Sequence, residues 1–495
     1  MKLKKLVSVL LAGAMAFSLA ACGSSDAGSS NATSNDTANN DAASDDAASD
    51  DAASNDATSD DAASDDVAAA GGKLVIWTLA DDLKQFAARY SDQTGVETEV
   101  VVIAPEDYPT KVQTALVGGE KEPDIIVGEP QMLGDMFDYG AFADLNQFGA
   151  QDYADQIVDY VWEVGQDADG IQRAISYQIT PAGIYYRRDI AQEVFGTDDP
   201  DEVAKLFADY PTILQTGETL KAAGYRIFAS DSEINYFSGD SAWVIDGKLN
   251  VDQGRLDYMD LVVDLYQKDL TAYAAQWATP WYQAMDGEVP ILSAETQWGV
   301  WGEEGEEAPL NIWDAENFNA NVENFSNGTT EVFAFGLPAW GVLTMRDHVS
   351  NTAGKWGVCP GPAYGFGGGT FIGISSQSER QELAWDFVKF CTLNEDTAEW
   401  WIEASQGDTV SLKSVLEAHK DDANEVYGGE HMYAMWLELA EGIDYSKVTQ
   451  YDKAIGDAWG AAISSIKTGE MSKEDAINAF YDTVQSTYPD LVIER

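Results

Sequence analysis

Between Lys73 and Leu145 the chain alternates short apolar runs with stretches of helical periodicity, and that alternation leaves few folds open. Leu74 to Trp77 is a compact apolar run that predicts a buried strand. Asp81 follows as a helix N-cap, and Leu83, Phe86, Ala87 and Tyr90 recur at helical spacing until Gly95 ends the turn. VETEVVVIA reads as a second strand. Val112, Ala115 and Leu116 mark a second helix, stopped at Gly118-Gly119, and EPDIIVGE is a third strand. Strand, helix, strand, helix, strand implies right-handed crossovers and a parallel sheet. Ligands of such sheets bind beyond the carboxyl ends of the strands. Those ends carry Thr78 to Asp82, Ala104 to Tyr108 and Gly128 to Gln131, which are small or polar and hold no phosphate loop. They predict one wall of a cleft.

The first 72 residues do different work. Met1 to Ala21 has a basic start (Lys2, Lys4, Lys5) and an apolar middle too short to span a bilayer, ending in small residues, so it reads as a secretion signal. Residues 23–72 are built from Ala, Ser, Asp, Asn, Gly and Thr with one Val, and DAASD-like units recur every five residues from Asp41 to Asp65. Nothing there can be buried and the carboxylates repel, which predicts a disordered tether. Residues 1–72 hold twelve Asp and three Lys, so of the net −57 the rest of the chain keeps 25 basic and 73 acidic groups, or −48. That charge excludes nucleic acid and anionic lipid surfaces as natural partners and favours neutral or cationic ligands. About 420 residues beyond the tether are too many for one core and imply two or more lobes. Cys359 and Cys391 are read as buried free thiols, Cys391 sharing a helix face with Leu383, Phe387 and Val388. No cofactor or metal site is implied.

Gly170 to Asp189 holds two strand-like segments broken at Thr180-Pro181-Ala182-Gly183, where the chain is expected to cross between lobes. Helical patterns run from Glu202 to Gly224 and from Leu256 to Lys268. YRIFAS is a strand that ends in Asp231 to Phe237, and DGKLNVDQ is turn-like. Tryptophan is then dense, often beside Gly or Pro: Trp277, Trp281, Trp298, Trp301, Trp313, Trp340, Trp356. An indole offers a wide apolar face and one donor, which suits the aliphatic face of a sugar ring, while carboxylates and amides take the hydroxyls. Gly367 to Gly369 allow close backbone approach or hinge movement. Ser472 caps a final amphipathic helix with Glu474 and Asp475 in its first turn.

Taken in order, KLVIWT, TGVETEV, EPDIIVGE with GAFADL, ISYQITPAGIYYRRD, LPAW, GKWGVCPGP, GGGTFIGIS, LAWDFVKFCT and TGEMSKEDA resemble the extracellular solute-binding proteins of ABC importers, the group that includes maltose-binding protein. Leu19-Ala20-Ala21-Cys22-Gly23 likewise resembles the lipobox of bacterial lipoproteins, with Cys22 the lipidated residue. One departure stands out: two strand-then-Trp segments occur, at Trp298 and Trp340, with Glu303 to Thr330 between them, and Trp340 has the better spacing to Lys355. The resemblance implies an α/β, two-lobed periplasmic-binding-protein-like fold of type II, each lobe a mostly parallel sheet flanked by helices, with hinge crossings. Lobe 1 is then 73–179 plus 360–400, and lobe 2 is 180–359 plus 401–495. The cleft positions it implies are Asp81, Asp82, Tyr108, Glu129, Gln178, Asp231, Trp340 and Gly368. Tyr236, Trp281, Trp298 and Phe366 join them on chemistry alone.

These readings converge on a monomeric, lipid-anchored receptor on the outer face of the cell membrane. It would capture a neutral oligosaccharide by lobe closure and pass it to the permease subunits of an importer, with no catalytic residue. A secreted glycoside hydrolase, with paired carboxylates in a Trp-lined cleft, is the rival from another class. A polyamine or peptide is the rival ligand for the same fold.

Overall fold

A computed structural model describes residues 72–495 apart from 240, 304, 425–426 and 446–448, so the signal segment, Cys22 and the acidic tether lie outside the described residues. Its strands are Leu74–Thr78 (β1), Thr98–Val102 (β2), Ile125–Gly128 (β3), Ile175–Ser176 (β4), Ala182–Arg187 (β5), Arg226–Phe228 (β6), Val244–Ile245 (β7), Lys248–Leu249 (β8), Val289–Pro290 (β9), Thr329–Thr330 (β10), Val332–Pro338 (β11), Trp356–Pro360 (β12) and Phe371–Ile374 (β13). Two sheets carry the two lobes, in the orders β2-β1-β3-β13-β4 and β12-β5-β11-β6.

The opening alternation folds as its periodicity requires. Leu83, Phe86, Ala87 and Tyr90 are the buried stripe of the helix Leu83–Thr94, which Gly95 closes in the left-handed conformation. Its cap is one residue later than expected: the Asp82 carboxylate, not that of Asp81, accepts the Leu83 amide. The next helix, Tyr108–Gly118, stops at Gly119 in the same left-handed geometry. Strand β1 pairs in parallel with β2 and β3.

The sheets are more mixed than a mostly parallel reading allows. β13 runs antiparallel to both β3 and β4, and in the second sheet only β11 and β6 are parallel. The reason is connectivity: β12 and β13 are joined directly across the crossing, so β13 enters the first sheet from the opposite end.

Two crossings lie side by side. Thr180-Pro181 connects β4 to β5, and Gly361 to Thr370 connects β12 to β13. They are tied by Ala182 N–H to Gly365 O (2.7 Å) and Gly367 N–H to Thr180 O (3.2 Å). Further on, the chain stays with the first sheet beyond residue 401. Trp401 packs on Phe86 and Tyr177, and Ser411 donates to the Tyr177 carbonyl. By Tyr427, which packs on Tyr185, and Glu430, whose carboxylate accepts the Val358 amide of β12, the chain has reached the second sheet. At the position where the return to lobe 2 is expected, Trp400 and Trp401 both pack on Phe86 of the first helix.

Three further details depart from or refine the sequence reading. DGKLNVDQ is a two-residue hairpin, with Asp246 and Gly247 both at positive φ, the Asp-Gly chemistry that primed turns demand. The helical patterns expected from Glu202 to Gly224 are Pro200–Ala204, Lys205–Phe207 and Tyr210–Ala223, Asp209 capping the last. The extra segment around Glu303 to Thr330 forms a small core of its own, with Leu292, Leu310, Ile312 and Phe318 fully buried. Cys359 and Cys391 are free and buried. No described helix is long and apolar enough to cross a membrane.

Candidate functional site

The strand ends of both sheets converge on the two crossings. At the end of β1, the Thr78 hydroxyl accepts the Ala80 amide and turns the chain toward Asp82. The Tyr177 hydroxyl, just before the crossing, donates to the second Asp82 oxygen. At the end of β3, Glu129 precedes the Pro130–Asp138 helix and takes a bond from the Gln131 amide. Both acids are held by the first lobe.

The second lobe supplies an aromatic wall resting on an acid. After β6, Glu233 is fully buried, and its Oε1 accepts the Trp281 indole N–H at 2.6 Å. Trp281 packs against Trp277 (ring centroids 4.6 Å apart), and Trp277 stacks on Trp340 at 5.9 Å and 29°. Trp277 is held at φ +70, a conformation that costs a non-glycine residue roughly 1–3 kcal/mol and that persists where the surroundings impose it. The Trp340 indole N–H then reaches the Gly367 carbonyl at 2.8 Å, joining the wall to the glycine run. That run must be glycine. A Cβ on Gly367 would stand 2.2 Å from the Tyr236 ring, and Gly368 and Gly369 sit at φ +67 and +116.

Burial, with few cations nearby, sets the electrostatics. Burial pushes the Glu129 carboxyl up to about 7, opposed by the Gln131 bond and assisted by Asp82. Glu233 rises to about 8 for the same reason, against its bonds from Trp281, the Gly336 amide and Ser230. Asp82 is raised by burial despite the Tyr177 bond, and Asp408, bonded to the Trp401 indole, reaches about 7. Of these four acids, only Asp408 feels an arginine, Arg346. The arrangement offers flat apolar faces flanked by hydrogen-bonding carboxyls, the chemistry of a polyhydroxylated ligand. Among the described residues no group of three or more His, Cys, Asp or Glu is arranged to hold a metal ion.

The sequence-derived positions divide accordingly. Asp82, Glu129, Tyr236, Trp340 and Gly368 meet around the crossings. Gln178 is buried there too, its Oε1 without a hydrogen-bond partner among the described residues. Phe366 packs between Tyr160 and Tyr445 beside Pro181, within the crossing itself. The rest stand elsewhere. Asp81 is turned outward onto Lys84. Tyr108 is fully buried with its hydroxyl committed to the Trp77 carbonyl and the Val127 amide, so it braces the first sheet. Asp231 is a buried ion-pair partner of Lys467. Trp281 is fully buried and serves Trp277 from beneath, and Trp298 packs on the small third core. Glu233 and Tyr177 are absent from the sequence-derived positions, and Trp277 and Gln131 enter there only through the tryptophan-dense stretch and the end of the third strand. The usable signal was Trp277 four residues before Trp281, ahead of Thr279-Pro280, which puts one indole in a turn and the next on a helix.

Residues 85–426, more than half of the chain, match the model of the family described as bacterial extracellular solute-binding protein. The chain belongs to that family. This solute-binding protein is similar over 166 residues, at 21% identity, to the arabinooligosaccharide-binding protein of Halalkalibacterium halodurans; the match spans 31% of this chain and only 37% of that protein. Its fold is that of solved binding proteins. An extracellular solute-binding protein of family 1 superposes with a TM-score of 0.63 at 17% identity, over 84% of this chain and 99% of that one. The ABC-transporter-associated binding protein of B. animalis subsp. lactis Bl-04, solved with β-1,6-galactobiose, gives 0.61 at 18% identity, over 86% and 99%. The family and these neighbours are binding proteins, and the two-lobed architecture is common to them.

Proposed function

We propose that this solute-binding protein captures a neutral oligosaccharide between its two lobes and delivers it, without chemistry, to the permease of an ABC importer. The observation that carries the reading is the Trp277–Trp340 stack on the second lobe, supported from beneath by Trp281 and Glu233; the first lobe supplies Asp82 and Glu129, and none of these three acids is ion-paired to a Lys or Arg among the described residues. Sugar rings lie against indole faces, and buried carboxyls take their hydroxyls. The saccharides named for its relatives, an arabino-oligosaccharide and a galactobiose, support the same class. The test is a melting-temperature screen against neutral arabino- and galacto-oligosaccharides, polyamines and short peptides, since a ligand that binds only the folded form raises the midpoint by mass action. A shift with saccharides alone is expected; a shift with polyamines alone contradicts the reading.

The LAAC sequence ending at Cys22 supports a lipid anchor on the outer face of the membrane, with residues 23–72 as the tether and a monomeric receptor at its end. Cys22→Ala is expected to move the protein from the membrane pellet to the soluble fraction. Continued sedimentation of the variant with salt-washed membranes contradicts the anchor.

A further inference from the structure

The chain has fifteen tryptophans, and among the described residues only two are exposed, Trp301 at 60% and Trp313 at 43%. Both lie in the extra segment that builds the small third core. Each follows a residue packed into that core, Val300 or Ile312, and Val300 is paired with Leu310 through bonds of 2.7 and 3.2 Å. Trp313 is held in a fixed turn. Its amide donates to Asn311 Oδ1 at 3.0 Å, the Asn311 amide donates to Asn317 Oδ1 at 2.7 Å, and Asp314 caps the Ala315–Asn321 helix that follows. An indole already held in place loses little freedom when a ligand covers it. Single exposed apolar residues are ordinary on a protein surface, but here both exposed indoles share one segment.

That segment is joined to the aromatic wall. The Thr279 amide donates to the Ile312 carbonyl at 2.9 Å, and Gln283 Nε2 donates to Asn319 Oδ1 at 2.8 Å. Ala275 and Ala278, on either side of Trp277, belong to the third core. Trp277 stands two residues before Thr279 and Trp313 one after Ile312, so backbone lengths place their Cα atoms no more than about 12 Å apart. The surface around the exposed pair suits an uncharged partner. No Lys, Arg or His occurs between Lys268 and Arg346, while Glu303, Asp314 and Glu316 are exposed there as hydrogen-bond acceptors.

We propose that Trp313, with Trp301 on the paired strand, is an outer subsite for the far end of an oligosaccharide whose near rings lie on the Trp277–Trp340 wall. The extra segment then selects for sugars longer than a disaccharide. This rests on the reading of the wall as a saccharide site and adds chain length to it.

Titration calorimetry on the full chain, with arabino- and galacto-oligosaccharides from disaccharide to hexasaccharide, tests the proposal. Wild-type affinity should rise with chain length. Trp301→Ala/Trp313→Ala should weaken hexasaccharide binding by about tenfold and leave the disaccharide within about twofold, whereas Trp340→Ala should weaken both. The double variant should melt with wild type, because exposed side chains carry little stability. Affinity independent of chain length overturns the outer subsite and leaves the saccharide reading standing. So does a double variant that binds the hexasaccharide as wild type does, or that loses short and long sugars equally. Binding by no saccharide rejects both readings. Dimers in sedimentation that the double variant abolishes would assign the two indoles to a second copy of the chain and overturn the proposal.

Discussion

Asp231 and Glu233 sit two residues apart in the segment after β6, both buried, and their surroundings give them opposite roles. The Asp231 carboxylate is met by Lys467 at the end of the Asp452–Lys467 helix, whose ammonium also lies 5.2 Å from the Tyr266 ring. Removing one member of such a pair strands the other charge. Lys467→Met is expected to lower stability by roughly 3–5 kcal/mol in denaturant titration, with saccharide affinity per folded molecule unchanged. Native stability combined with lost affinity would return Asp231 to the site. Sequence alone could show that DSEINYF was polar and followed a strand. It could not show which acid turns toward a lysine 236 positions later. What distinguishes Asp231 from Glu233 is facing, and the partner that sets it comes from a distant helix. Tyr108 is similar, since nothing local reveals that its hydroxyl bridges the Trp77 carbonyl of β1 and the Val127 amide of β3.

At the level of elements, the legible parts were those where local chemistry decides. The strands β1 to β3, the helix stops at Gly95 and Gly119, and the Ser472 cap followed from periodicity and from turn residues. The break at Thr180-Pro181 and the glycine run were legible for the same reason, since proline and glycine carry their backbone preferences with them. Strand direction in the second sheet and the residence of Trp401 on the first lobe were not legible, because long-range pairing sets both. Trp340 shows the two levels meeting. Its position after β11 was foreseen, but its partners, Trp277 and the Gly367 carbonyl, were not. It is half-buried, so Trp340→Ala should weaken saccharide binding by about 2 kcal/mol, the scale of a binding hot spot. In calorimetry that is a loss of roughly thirtyfold in affinity. The ligand-free melting point should fall less than for a fully buried tryptophan, whose truncation costs about 3–5 kcal/mol. A large loss of ligand-free stability with unaltered affinity would make Trp340 a packing residue only.

For the whole molecule, two sheets are joined by paired crossings, and the strand-end residues beside those crossings belong to different lobes. The Ala182–Gly365 and Gly367–Thr180 bonds tie these two crossings to one another, and Gly368 and Gly369 there sit at positive φ. The acid-rich exterior repels anions, and beside the crossings burial rather than cations governs the carboxyls. The account's central claim is that this region binds a neutral oligosaccharide and leaves it intact. Titration calorimetry with arabino- and galacto-oligosaccharides, followed by assay of the recovered sugar for new reducing ends, tests it most directly. The account predicts saturable heat at one saccharide per chain, with the sugar recovered unchanged. Absence of heat from every neutral saccharide, or a sustained heat of turnover with new reducing ends, would contradict it.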